Sequence, residues 1–142
     1  MDQNTQETHP AGEKRVRVVG AAIVRDGRVL CAQRGPGHDL AGSWEFPGGK
    51  IEPGETPRQA LVREVEEELL CEVDVLSEVC TTEQRYDFGT VILTTFLCRL
   101  RFGEPCLTEH MAMRWELPAN MPQLGWAPAD REAMRLISRM PV

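Results

Sequence analysis

The hydrophobic pattern changes period several times along the chain, and each change marks an element. Val16 to Val24 is an almost unbroken run of β-branched and small apolar residues, which predicts a strand buried on both faces. Asp26-Gly27 then predicts a tight hairpin turn into a second strand, Arg28 to Arg34. A loop rich in Gly and Pro covers Gly35 to Gly42, and Ser43 to Pro47 reads as a short strand. The period then becomes helical. Ala60, Leu61, Val62, Val65 and Leu69 fall on one stripe, preceded by Thr56 as N-cap, Pro57 at the first helical position and Gln59 completing a capping box. Glu72 to Tyr86 is irregular but strand-like, Thr90 to Arg101 is the clearest later strand, and Gly103-Glu104-Pro105 closes it. Met111 to Glu116 predicts another short strand. Pro128 to Met140 predicts a second helix with Ala133, Met134, Leu136 and Ile137 inward. Strands, helix, strands and helix together predict a mixed sheet covered on both faces.

Composition narrows the function. With 142 residues and 42% hydrophobic content, residues 15–142 fit one domain with a single core, preceded by a polar, disordered leader from Met1 to about Lys14 in which His9 has no specific role. The net charge of −6 argues against a nucleic-acid polymer as partner, because such binding runs on a basic surface. It leaves room for a nucleotide, since metal ions reverse the field of an acidic site. Neither a long apolar run nor a signal-peptide pattern is visible, so a cytoplasmic protein with no membrane partner is expected. Cys31, Cys71, Cys80, Cys98 and Cys106 are odd in number and lack Cys-x-x-Cys spacing, which suits structural thiols better than disulfides or zinc.

The chemistry concentrates on the first helix. Glu64, Glu67 and Glu68 stand at i, i+3 and i+4, so their carboxylates share one face. Each like-charge pair costs about 0.2–0.5 kcal/mol unless a cation offsets it. Three hard oxygen donors without His or Cys suit Mg²⁺, with Mn²⁺ as the alternative. A solvated acidic face is the competing explanation for the three carboxylates alone. The wider pattern decides between them. Gly49, Glu55, Arg63, Glu64, Val65, Glu67 and Glu68 match the Nudix box, Gly-x5-Glu-x7-Arg-Glu-U-x-Glu-Glu-x-Gly-U, in register, with Cys71 as the last aliphatic position. Leu70 replaces the second Gly, at a place that normally takes a left-handed conformation; there Leu is strained by roughly 1 kcal/mol or more.

The chain thus resembles the Nudix family from about Val16 to Ile137, and the resemblance implies an α/β/α sandwich, a mixed sheet between helices. It is most similar to the MutT-type branch in Trp44-Glu45-Phe46-Pro47-Gly48-Gly49-Lys50, in Arg34, in Glu109-His110 followed by Trp115, and in Ala127-Pro128-Ala129-Asp130. That branch hydrolyses nucleoside triphosphates to the monophosphate and pyrophosphate by attack on the β-phosphorus. The resemblance implies that the Gly48 carbonyl joins Glu64, Glu67 and Glu68 at the metal, that Arg34 contacts phosphates, and that Glu109, on a mobile loop, is a fourth carboxylate serving as ligand or base. Glu67, Glu68 and Glu109 remain equal candidates for the general base. Glu55 and Arg63 are better read as an ion pair bracing loop against helix, and His110 as a packing residue.

At Asp130 the resemblance implies contact with the nucleobase, against a plain helix N-cap. An ionised Asp accepts only, matching the N4 amino group of cytosine, whereas a protonated Asp also suits 8-oxoguanine. Tyr86, Phe88 and Trp126 are candidates for stacking on the base. The expected substrate is therefore dCTP, CTP or 5-methyl-dCTP, with 8-oxo-dGTP as the alternative. A nucleoside diphosphate sugar or a non-catalytic nucleotide-binding module remain the other classes, and a monomer or homodimer is expected.

Overall fold

This computed structural model describes residues 14–142; the expectations for the leader, His9 included, lie outside the described residues apart from Lys14. The central strand is β1 (Arg15–Arg25), whose residues Val19 to Ile23 are all buried. It turns through Asp26 (φ 52°) and Gly27 (φ 75°) into β2 (Arg28–Gln33), the two positive φ values that a two-residue hairpin matched to strand twist requires. β2 pairs antiparallel with β3 (Trp44–Glu45) and with β7 (Ala112–Glu116). β4 (Gly48–Lys50) returns to β1 at Val18–Gly20. On its other side β1 runs parallel to β6 (Gly89–Phe102), which pairs antiparallel with β5 (Glu72–Tyr86) through several register shifts. These bulges explain why the hydrophobic pattern of Glu72 to Tyr86 is irregular although the segment is one strand.

Alternate residues of β1 serve opposite faces. Val19, Ala21 and Ile23 pack on α1 (Pro57–Leu69) with Ala60, Leu61, Val65 and Leu69. Ala22 faces the other cluster, where Met121, Trp126, Ala133, Met134 and Ile137 cover Val29, Cys31, Trp44 and Phe46. The fold is the expected sandwich. Burying each of Leu61, Val65 and Leu69 stabilises it by roughly 1.5–3 kcal/mol. Val62, expected on the apolar stripe, is instead 37% exposed. No helix among the described residues is long and apolar enough to cross a membrane.

The second helix is shorter than its sequence suggests. Pro128–Asp130 form a 3-10 turn, and α2 proper spans Arg131–Ile137. Its end tightens through Arg139 N–H to Leu136 O and Met140 N–H to Ile137 O. Pro141 follows, which disfavours helical backbone at Met140.

α1 ends as its capping residues dictate. Thr56 Oγ1 accepts from Gln59 N–H at 3.1 Å, and the Gln59 side chain accepts from Thr56 N–H at 2.9 Å. At the other end Leu70 takes the left-handed conformation (φ 57°, ψ 37°) and donates its N–H to Glu66 O. The helix thus stops where a Gly would stop it, with a strained and 59% exposed Leu in that place. Leu70→Gly should therefore raise unfolding stability by about 1 kcal/mol in chemical denaturation, with turnover unchanged. A lower stability would show that the Leu70 side chain contributes more than its backbone costs.

Candidate active site

Two glycines let the acidic helix approach the sheet. A Cβ on Gly48 would stand 1.8 Å from Val19 O, and one on Gly49 would stand 2.3 Å from Glu64 Cδ. β4 consequently lies this close to the β1 backbone only with glycine at 48, and a side chain at 49 would turn the Glu64 carboxylate away. Arg63 locks the following loop onto the helix. Its Nε and Nη2 bond the two Glu55 carboxylate oxygens at 2.5 and 2.9 Å, its Nη2 also reaches Lys50 O, and its Nη1 reaches Glu64 and Glu67 at 3.1 and 3.3 Å. The Arg63 bonds, with a further one from Glu52 N–H, pull the Glu55 carboxyl down to about 2. The bracing ion pair expected from sequence is present, and it is bidentate.

The three helix carboxylates differ in environment. Glu67 is 60% exposed and leans on Arg63. Glu64 is largely buried, and burial outweighs the Arg63 contact to raise its pKa. Glu68 is buried deepest. Desolvation first, then the charges of Glu45, Glu64 and Glu109, push it up to about 8, against a lowering hydrogen bond from the Gly48 backbone. Its Oε1 is buried with no hydrogen-bond partner. Glu109 is exposed and lines the same cleft, of about 330 Å³, with Glu68, His110, Arg34 and Lys50. Among the described residues no three acidic, His or Cys side chains already converge as a ligand set. The donor chemistry nevertheless fits a hard divalent cation: an orphaned buried carboxylate oxygen stands among other carboxylates, beside a glycine backbone that admits close approach.

A second pocket, of about 280 Å³, adjoins the first and shares Arg34, Asp39, Glu45, Gly49 and Lys50 with it. Val16, Val18, Val91, Leu93 and Phe46 give it apolar walls, and Tyr86, Phe88 and Asp130 stand in its lining. Tyr86 and Phe88 stack with ring centroids 4.9 Å apart, and Tyr86 Oη accepts from Ala129 N–H. Asp130 makes no N-cap hydrogen bond. Its Oδ1 accepts from Phe46 N–H at 3.1 Å. It is 3% exposed, and burial, reinforced by the Glu45 charge, raises its pKa to about 8. Burial thus favours the protonated form of Asp130, the alternative to the ionised, acceptor-only group. Of the three aromatic candidates, Trp126 takes the core-packing role: it is buried against Phe46 with its Nε1–H on Met121 O, away from the pocket lining.

Sequence reasoning missed Glu45. One of its oxygens accepts from Arg34 Nε at 2.7 Å and the other meets His110 Nε2 at 2.8 Å. Burial works against its charge, but His110 and Arg34 hold its pKa below the usual range. The available signal was a lone acid between Trp44 and Phe46 in a strand too apolar to need one. Arg34, expected at the phosphates, lies at the junction of the two pockets on this carboxylate. His110 does pack in the interior, but through a polar contact to Glu45.

Comparison with known proteins places the chain in context. The family model described as NUDIX domain matches residues 14–137. The chain is 45% identical over 118 residues to the CTP pyrophosphohydrolase of Escherichia coli K12, covering 82% of this chain and 87% of that one. It is 38% identical over 107 residues to the 8-oxo-dGTP diphosphatase of Haemophilus influenzae, covering 72% and 77%. Among solved structures, the MutT NUDIX hydrolase from Burkholderia pseudomallei superposes with TM-score 0.78 at 32% identity, covering 87% of this chain and 98% of that one. The E. coli ORF135 protein superposes with TM-score 0.76 at 39% identity, covering 90% and 92%.

The neutral state of Asp130 has a measurable consequence. A carboxyl whose folded pKa lies above its unfolded value stabilises the fold most at pH below the unfolded value of 3.8, and that contribution is lost as pH rises through about 8. Asp130→Asn removes the titration while keeping an acceptor for Phe46 N–H. The unfolding free energy of this variant, from chemical denaturation, should gain on the parent protein between pH 5 and pH 8, by on the order of 1 kcal/mol per pH unit, and level off above. A gap independent of pH would mean that Asp130 is charged throughout.

Proposed function

The chain belongs to the Nudix family, and from that premise we propose that it hydrolyses nucleoside triphosphates to the monophosphate and pyrophosphate, using a divalent cation, Mg²⁺ or Mn²⁺. The observation that carries this reading is the junction of the two pockets: a nucleobase-sized apolar pocket opens directly into a carboxylate cleft through Arg34, Glu45 and Lys50. The Gly48 carbonyl with Glu64, Glu67, Glu68 and Glu109 would hold the cation. When bound, it supplies charge neutralisation on the phosphates and activation of water. Arg34 and Lys50 provide positive charge along the phosphate path, and Glu67, Glu68 or Glu109 accepts the proton as water attacks the β-phosphorus. Glu67→Gln or Glu68→Gln should lower kcat by about 10² or more, because a neutral amide is a poor hard ligand. Pyrophosphate release that survives excess EDTA would contradict the reading.

Cytosine nucleotides are the proposed substrates. A neutral Asp130 offers one O–H donor and a carbonyl acceptor, which pair with N3 and the N4 amino group on the cytosine edge. The likeness to a CTP pyrophosphohydrolase supports the same choice. The walls formed by Val16, Val18, Val91 and Leu93 would also receive a 5-methyl group, worth about 1–3 kcal/mol. One observation favours 8-oxo-dGTP as the second reading. The same neutral carboxyl matches the O6 acceptor and N7–H donor of 8-oxoguanine, and another relative carries that activity in its name. Comparing kcat/KM for dCTP, 5-methyl-dCTP and 8-oxo-dGTP separates them. The cytosine nucleotides should lead by about tenfold or more, a difference of roughly 1.4 kcal/mol. A lead of that size for 8-oxo-dGTP reverses the assignment, and absence of turnover on every nucleotide leaves a binding module.

A further inference from the structure

The connection from β6 to β7 holds Glu109 between two anchors. On one side Cys106 N–H donates to Leu69 O at 2.8 Å, and the Thr108 hydroxyl donates to Glu68 O. Both acceptors belong to the last turn of α1, whose carbonyls have no partner within the helix. On the other side Met111 N–H donates to Gln33 O at 2.9 Å, and the buried His110 ring meets Glu45. Glu109 O itself passes 3.3 Å from where a Cβ on Gly35 would stand, so the chain just after β2 packs closely against it.

The two faces of the Glu45 carboxylate serve different pockets. One Glu45 oxygen accepts from Arg34 Nε, and the other lies 2.8 Å from His110 Nε2. One oxygen therefore holds the residue next to Glu109, and the other holds Arg34. His110 Nδ1 is buried with no hydrogen-bond partner, so the ring is fixed through a single polar contact. A packing role alone would be filled better by an apolar ring, since a buried polar atom without a partner is costly.

We propose that Glu45 and His110 form a positioning pair that fixes Glu109 over the carboxylate face of α1 and, through the same Glu45 carboxylate, orients Arg34 at the mouth of the nucleobase pocket. The role rests on the proposed part of Glu109 in nucleotide hydrolysis; the anchoring does not. Neither residue touches the reacting atoms. Their effect passes through Glu109 and Arg34, and this distinguishes them from residues that hold the fold alone.

The test uses the full chain with substitutions His110→Ala, His110→Asn and His110→Gln, each alone and with Glu109→Gln. Without any cation, amide hydrogen exchange at Thr108 to Met111 should rise about tenfold or more in His110→Ala and His110→Asn. It should stay near the parent value in His110→Gln, whose amide N–H extends to the place of Nε2. With Mg²⁺ and dCTP, the first two should lose about tenfold or more in kcat with KM within about threefold, while Gln restores most of the rate. Each double variant should be no slower than Glu109→Gln alone, because positioning has no effect once the positioned carboxylate is gone. Glu45→Gln should change kcat and KM together, since it loosens Arg34 as well. If losses multiply in the double variants, if Asn serves as well as Gln, or if exchange in the loop does not change, the positioning pair is refuted. If His110→Ala does not fold, the Asn and Gln variants decide alone. If the parent protein releases no pyrophosphate from any nucleotide, the hydrolase reading fails and the exchange data still decide the anchoring.

Discussion

The close approach of Gly48-Gly49 to two neighbours at once is the constraint on which the rest depends. With no side chain at either position, the short strand lies against the backbone of Val19 on one side and against the Glu64 carboxylate on the other. This brings the acidic face of α1 onto the sheet instead of leaving it in water. It also sets Phe46, two residues earlier, where its N–H meets Asp130, so the same stretch borders both pockets. A Cβ at Gly48 would push β4 off the β1 backbone, and one at Gly49 would displace the Glu64 carboxylate from its place against the strand.

That approach concentrates negative charge, and the protein offsets it unevenly. Arg63 reaches Glu55, Glu64 and Glu67 and holds the loop as well. Arg34 and His110 do the same for Glu45. Among the described residues Glu68 receives no cationic side chain, and one of its oxygens has no partner. Asp130 is answered by a backbone N–H, and burial favours its neutral form. The buried acids with the least side-chain compensation, Glu68 and Asp130, line the two pockets, where functional demand overrides stability.

Much of this was legible in the sequence because it is local. The capping box, the hairpin at Asp26-Gly27 and the Glu55–Arg63 pair follow from spacing within a few residues. Long-range features were not legible. Glu45 and His110 meet across 65 positions, and the protonation of Asp130 is set by a burial that only the packed sheet creates. Leu70 shows the opposite case: the helix ends in a left-handed turn that its own side chain resists. The alternation of Glu72 to Tyr86 was blurred by bulges, which shift the inward face without any signal in composition.

If the uncompensated Glu68 is a stability cost kept for a cation, the most direct measurement is the melting temperature against Mg²⁺ concentration for the parent protein and Glu68→Gln. The expected result is a rising melting temperature in the parent, as for any ligand that binds only the folded state. Glu68→Gln should melt higher than the parent without Mg²⁺ and respond little to it. A parent protein indifferent to Mg²⁺, or a variant that responds equally, would contradict the proposed site.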